Sequence, residues 1–189
     1  MNRSLIRRTL IAAVLTATAV LGSVVAVSAA SPAAPFCGIT WGSLAKSGGA
    51  LSTAGVLDTR TGQHDCYDRL VFDFDGPADG YRVSYVDQVP GQGGLGQALN
   101  VAGGARLDVV LLANADEVGT GASVYPHQAG DHVAGVTGYR TLRDVVYGGS
   151  FEGYTTFGVG VRARVPFRVF ALAGPGTHSR IVVDVAHHW

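Results

Sequence analysis

An all-β sandwich is the fold this sequence predicts, and three observations predict it. About seven to nine short runs either alternate apolar and polar residues or stay apolar throughout, each bounded by Gly, Pro, Asn or Asp. Beyond the N-terminal 30 residues, no stretch carries a sustained apolar period of the helical kind. The 27 glycines, and an acidic side dominated by aspartate over glutamate, favour turns over helices.

Residues 1–30 read as a secretory signal peptide. A basic start at Arg3, Arg7 and Arg8 precedes an apolar stretch from Leu10 to Val27, and the small residues Ser28, Ala29 and Ala30 close it. An uncleaved anchor is the alternative, because 18 largely apolar residues just reach across a bilayer. The Ala, Thr, Gly and Ser content makes a weak span and favours cleavage. The expected product is free, extracytoplasmic and associated with the cell wall rather than with a membrane. In that oxidising compartment Cys37 and Cys66 are expected to form one disulfide, worth roughly 3–4 kcal/mol in the chain-entropy model.

Residues 31–63 are rich in Gly, Ser and Thr and lack sustained periodicity, so they read as an irregular N-terminal arm. The sandwich domain is assigned to residues 64–189. Its first strand is residues 68–74, where Leu70, Phe72 and Phe74 alternate with Val71 and Asp73. The turn cluster 76–80 leads into the alternation of Tyr81, Val83 and Tyr85. Residues 91–104 form a glycine-rich loop with a short strand expected near 99–101. Residues 107–113, apolar except for Asp108, suit a strand covered on both sides. A long polar loop spans 114–138. Strands at 145–147, 155–161, 167–172 and 181–185 complete the set, with a helical turn as the alternative at 142–146. The expected core is Leu70, Phe72, Phe74, Val83, Val109, Leu111, Phe157, Val159, Val161, Val169, Ile181 and Val183. Gly158 and Gly160 leave the other side of their strand bare, which marks a close approach or a bulge.

Charge excludes one class of partner. Without the three signal arginines the chain has 11 basic against 14 acidic residues, and nucleic acid calls for a clustered basic surface. The chemistry-bearing residues fall short of a motif. His127, His132, His187 and His188 have no metal-ligand spacing, so no metal or cofactor is expected. The run 148–152 fails the nucleophile-elbow pattern at Glu152, and Phe151-Glu152-Gly153 reads as a turn. Charged residues inside strands, Arg69, Asp73, Arg82, Arg168 and Asp184, read as the solvated face of a half-buried sheet with cross-strand ion pairs. The sharper reading is a polymer-binding face, for which Trp41, Tyr81, Arg82 and Tyr154 are the candidate residues.

The runs at 68–74, 80–86, 151–153, 165–170 and 179–185, in this order, resemble a family of secreted proteins and lipoproteins of high-GC Gram-positive bacteria that carry an AMIN-like domain. The resemblance spans roughly Cys66 to His187, and Trp41-Gly42-Ser43 near the first cysteine also matches. Similarity of Arg180-Ile-Val-Val-Asp184 to the closing strand of the AMIN domain proper implies a β-sandwich that binds peptidoglycan in the cell envelope. The chain departs from those relatives in having no catalytic domain to target and no lipid-anchor cysteine, and no functional residue carries over. The expectation is a non-enzymatic envelope module binding peptidoglycan or another wall polymer. The alternatives are a wall hydrolase using Glu152 or a His-Asp pair such as one through His132, and a protein-interaction subunit of an envelope complex.

Overall fold

The computed structural model describes residues 35–91, 97–116 and 123–189. The segment read as a signal peptide lies outside them. Among the described residues no helix is long and apolar enough to cross a membrane. Within the described residues a single 3-10 turn, Phe36–Gly38, precedes nine strands: β1 (Lys46–Gly48), β2 (Val56–Gln63), β3 (Tyr67–Phe74), β4 (Tyr81–Val86), β5 (Ala105–Leu111), β6 (Leu142–Phe151), β7 (Tyr154–Val161), β8 (Phe167–Ala173) and β9 (Ser179–Ala186). They form two antiparallel sheets, one ordered β2-β3-β9-β8 and the other β1-β4-β5-β7-β6.

The period-2 pattern of β3 explains why this chain folds as a sandwich. Asp68, Leu70, Phe72 and Phe74 are buried while Tyr67, Arg69, Val71 and Asp73 stay half-buried on the outward side. Facing strands continue the same inside set, and Phe72 meets Phe157 of the other sheet with ring centroids 4.7 Å apart. Every core residue expected from the pattern is buried except Val169, which is half-buried and packs against the others. Each large apolar side chain so placed contributes about 1.5–3 kcal/mol.

Three segments differ from their sequence reading. Val56–Gln63, read as the tail of an irregular arm, is β2, paired with β3 from Val56↔Phe74 to Gln63↔Asp68. Its alternation was hidden because Thr59 and Thr61 supply the inward positions, and their hydroxyls accept hydrogen bonds from the Tyr125 and Tyr139 hydroxyls at 2.8 and 3.0 Å. Residues 142–146 extend as the start of β6 rather than turning as a helix. The expected strand at 99–101 is instead a cover: Leu99 and Val101 pack with Val86, Val89 and Val146 on the outward side of the five-stranded sheet. The bare backbone of Gly158 and Gly160 admits that cover, since a Cβ on Gly158 would lie 2.5 Å from Val101 Cγ2.

Asp108 lies under this cover. It points outward from β5 between Ser84 of β4 and Gly158 of β7, and its Oδ1 is buried without a hydrogen-bond partner. Burial pushes its carboxyl up to about 6. An unfolded aspartate ionises near pH 4, so the native state binds more protons between about pH 4 and 6 and stability falls as pH rises through that window. Asp108→Asn should therefore gain about 1–3 kcal/mol near pH 7.5 and nothing near pH 4. Thermal melts of both proteins at the two pH values check this.

Candidate functional site

The outward side of the four-stranded sheet is built by the register of three strands. Arg69 of β3 and Arg168 of β8 both lie directly opposite Asp184 of the intervening β9. The Arg69 guanidinium donates to both carboxylate oxygens, Nε to Oδ1 at 2.6 Å and Nη2 to Oδ2 at 2.9 Å. Arg168 donates to Oδ2 from Nε at 2.8 Å, with Nη2 at 2.7 Å from the same oxygen. Asp184 is wholly buried although it points away from the core, while the Arg69 and Arg168 side chains keep 24% and 32% of their surface. Two cations repay the desolvation of one anion, which a single exposed pair would not need. The bond to Asp184, opposed by partial burial, holds the Arg69 guanidinium above its ordinary value.

Aromatic rings surround this fork. Arg168 lies 5.5 Å from the Trp41 ring, 5.4 Å from Tyr67 and 5.1 Å from Phe170, and Arg69 lies 5.2 Å from Tyr67 and 5.6 Å from Phe170. Such contacts add about 0.5–2 kcal/mol each, depending on desolvation. The Cys37–Cys66 disulfide ties Phe36 and Trp41 to the start of β3, and Trp41 Nε1 donates to the Phe36 carbonyl at 2.9 Å. Trp41 also walls a cleft of about 500 Å³, shared with Phe36, Ile39, Pro166 and Trp189. The resulting surface is a row of aromatic faces beside guanidinium groups that carry one positive charge in excess of the buried aspartate. Flat apolar faces stack on sugar rings, and guanidinium forks fit carboxylate or phosphate groups.

The four residues singled out as a polymer-binding set do not line one groove. Trp41 belongs to the platform just described. Tyr81 turns inward, half-buried against the core, and its hydroxyl donates to the Val169 carbonyl at 3.3 Å. Arg82 and Tyr154 meet each other on the outward side of the opposite sheet, guanidinium to ring centroid 5.4 Å. Tyr67 and Phe170, which join Trp41 around Arg168, carry no separate signal in the sequence, because an aromatic at an outward strand position looks like any strand residue. The charged members were visible as in-strand Arg and Asp.

Glu152 and His132, the residues considered for hydrolysis, lie elsewhere on the domain. Glu152 is exposed at the tip of the β6–β7 hairpin, with φ +49° beside Gly153 at +86°, so it is the turn residue the sequence reading favoured. His132 does pair with an aspartate, Nδ1 to Asp144 Oδ1 at 2.7 Å, while Asp144 Oδ2 accepts from the Ala102 N–H at 2.9 Å. Asp144 is nearly buried and His132 open to solvent, beside a cleft of about 400 Å³ lined by residues 134–139 and Arg143. Among the described residues no hydroxyl or thiol bonds to His132.

A family model described as the AMIN-like domain matches residues 54–187. That span runs from just before β2 to the histidine that follows β9, so it takes in β2 through β9 and excludes Trp41 and Cys37. No curated protein and no solved structure matches the chain.

Proposed function

We propose that this chain, which belongs to the AMIN-like domain family, is a non-enzymatic module of the cell envelope that binds peptidoglycan or another wall polymer. The observation that carries the reading is the platform of Trp41, Tyr67 and Phe170 around the Arg69–Asp184–Arg168 fork. Its charge balance is positive on a chain whose region beyond the signal segment is net acidic. A rigid fork of this kind loses little side-chain freedom on binding, because Asp184 already orders both guanidiniums. The disulfide and the signal-like N-terminus support an extracytoplasmic setting, and the structural role of Cys37 in holding the aromatic arm fits one.

Sedimentation with purified cell wall tests the proposal. The wild-type protein is expected in the pellet, and Trp41→Ala and Arg168→Ala are each expected to bind about tenfold more weakly, the equivalent of ~1.4 kcal/mol. Arg82→Ala, on the opposite sheet, should bind as the wild type does. Retention no greater than that of an unrelated β-sandwich protein would sink the idea. The His132–Asp144 pair favours one second reading, a wall hydrolase. Clearing of a wall-impregnated gel by the wild type and not by His132→Ala would replace the binding reading with that one.

A further inference from the structure

Two sheets have four edges, and three of them are closed or blunted. Beside β6, the segment 130–133 runs as an extra partner, with Val133 N donating to Val145 O at 2.8 Å and Tyr147 N to Asp131 O at 2.9 Å. β2 carries the exposed Asp58 and Arg60, and at its start the Val56 N–H is taken by the Asn114 carbonyl at 2.8 Å. β1 is three residues long and starts with Lys46. Short, charged or covered edges of this sort resist pairing with other chains.

The second half of β8, from Ala171 on, has none of these protections. From Val169 to Ala173 it reads Val-Phe-Ala-Leu-Ala, without a charge, a proline or a glycine. Ala171, Leu172 and Ala173 are exposed, Leu172 at 37%. The flanking bonds Ala186 N to Pro166 O and Gly174 N to His178 O fix which side each residue faces. The even-numbered residues 168, 170 and 172 bond to β9, so the N–H and C=O groups of 169, 171 and 173 point away from the sheet. The same side is used at Phe167, whose N–H donates to Gly42 O at 2.9 Å, and at Val169, whose carbonyl accepts from Tyr81. Beyond Val169 the described residues offer Ala171 and Ala173 no backbone partner.

We propose that two copies of this chain pair through β8, antiparallel about a two-fold axis at Ala171, so that their four-stranded sheets join into one continuous sheet. The outward groups are self-complementary under that symmetry. Ala171 meets its own counterpart and exchanges a pair of backbone hydrogen bonds with it, and Val169, whose carbonyl already accepts from Tyr81, offers its N–H to Ala173 of the second copy. Phe170 then lies opposite Leu172 of the second copy on the outward face, an aromatic–aliphatic pair formed twice. The two Arg168 side chains fall at opposite ends and do not confront each other. Small side chains at 171 and 173 let the backbones approach. A foreign strand would satisfy the backbone groups too. The absence of charge and the match of Phe170 to Leu172 favour a second copy, and a closed two-fold pair leaves no free edge at β8. The pairing covers one edge of Phe170 and leaves Trp41 and Tyr67 of the aromatic platform free, so it is tested without reference to any ligand.

Analytical ultracentrifugation of the purified protein over a range of concentrations tests this. The wild type is expected to sediment as a dimer at high concentration, and Leu172→Lys and Ala171→Pro as monomers with unchanged circular dichroism. Proline at 171 removes an N–H that the native ladder does not use, so the fold should tolerate it. Ala171→Cys should yield a disulfide-linked dimer on mild oxidation, because hydrogen-bonded pairs place Cα atoms about 5.5 Å apart, within disulfide range. A wild type that stays monomeric overturns the proposal, and so does a dimer that survives both Leu172→Lys and Ala171→Pro. If the monomer instead takes up a synthetic Val-Phe-Ala-Leu-Ala peptide, β8 receives foreign strands rather than its own copy.

Discussion

Replacing Asp68 with alanine is expected to destabilise the protein by about 3–5 kcal/mol, a large share of the stability of a domain this size. Asp68 is an inward position of β3 with no exposed surface, and three donors converge on it. Oδ2 accepts the N–H groups of Thr141 and Leu142 at 2.5 and 3.0 Å, and Oδ1 lies 3.0 Å from His187 Nε2. The other ring nitrogen, Nδ1, lies 3.1 Å from the Asp65 carbonyl, which only accepts, so Nδ1 carries a hydrogen. The His187 backbone completes the latch: its N–H donates to Cys66 O, and its carbonyl accepts from Arg162 Nη2. Alanine at 68 strands two N–H groups and the imidazole in a site closed to water. Asparagine should cost less, since its oxygen can serve Thr141 and Leu142 while its NH₂ donates to a neutral His187. Urea unfolding of the wild type, Asp68→Ala and Asp68→Asn checks the ranking. Equal stability of the wild type and Asp68→Ala would show that the latch contributes nothing.

Gly160→Val is expected to cost about 4 kcal/mol or more, or to prevent folding. A Cβ at this position would sit 1.7 Å from the Ala102 carbonyl oxygen and 3.0 Å from Asp144 Cβ, so the cover over the five-stranded sheet must lift. Lifting it breaks the bond from Ala102 N–H to Asp144 and uncovers the small apolar cluster of Val89, Val101 and Val146. Gly135→Ala is the control, because no atom lies within 4 Å of the added Cβ and its backbone is not left-handed. The control should melt within a degree or two of the wild type. Gly160→Val should melt far lower or fail to accumulate in folded form.

These two sites show how far each kind of signal reaches. Gly158 and Gly160 announced in the sequence that something comes close to their strand, yet the close neighbour is a loop about sixty residues earlier rather than a strand. Nothing local to residues 97–104 specifies that contact. Asp68 sits at an inward position of a clear alternation, where a carboxylate is anomalous, but the donors that make it acceptable lie 73 to 119 residues away. The alternation of β2 is masked in the sequence, because threonines fill inward positions that the pattern reserves for aliphatics.

The paired strands β3 and β9 divide most sharply what the chain determines locally from what packing decides. Alternation alone placed Arg69, Asp73 and Asp184 on outward positions of strands in an all-β sandwich, and residue order alone pointed to the AMIN-like family. Period-2 patterning is a local property of the backbone, so it is legible residue by residue. Register is not. The fold sets Arg69 opposite Asp184 and Asp73 opposite Arg180, a nearly symmetric arrangement that the two runs share. Yet only the first pair closes. Asp73 turns to Arg60 of β2, accepting at 2.6 and 2.7 Å, and Arg180 Nε is buried without a partner. Arg168 of β8 joins Asp184 instead, and Trp41, held by the disulfide, covers the fork. Which aspartate becomes a buried anchor depends on neighbours from four separate strands and a covalent tether. Coulombic and aromatic contacts act through space, and only the folded chain brings those groups within a few ångströms of one another.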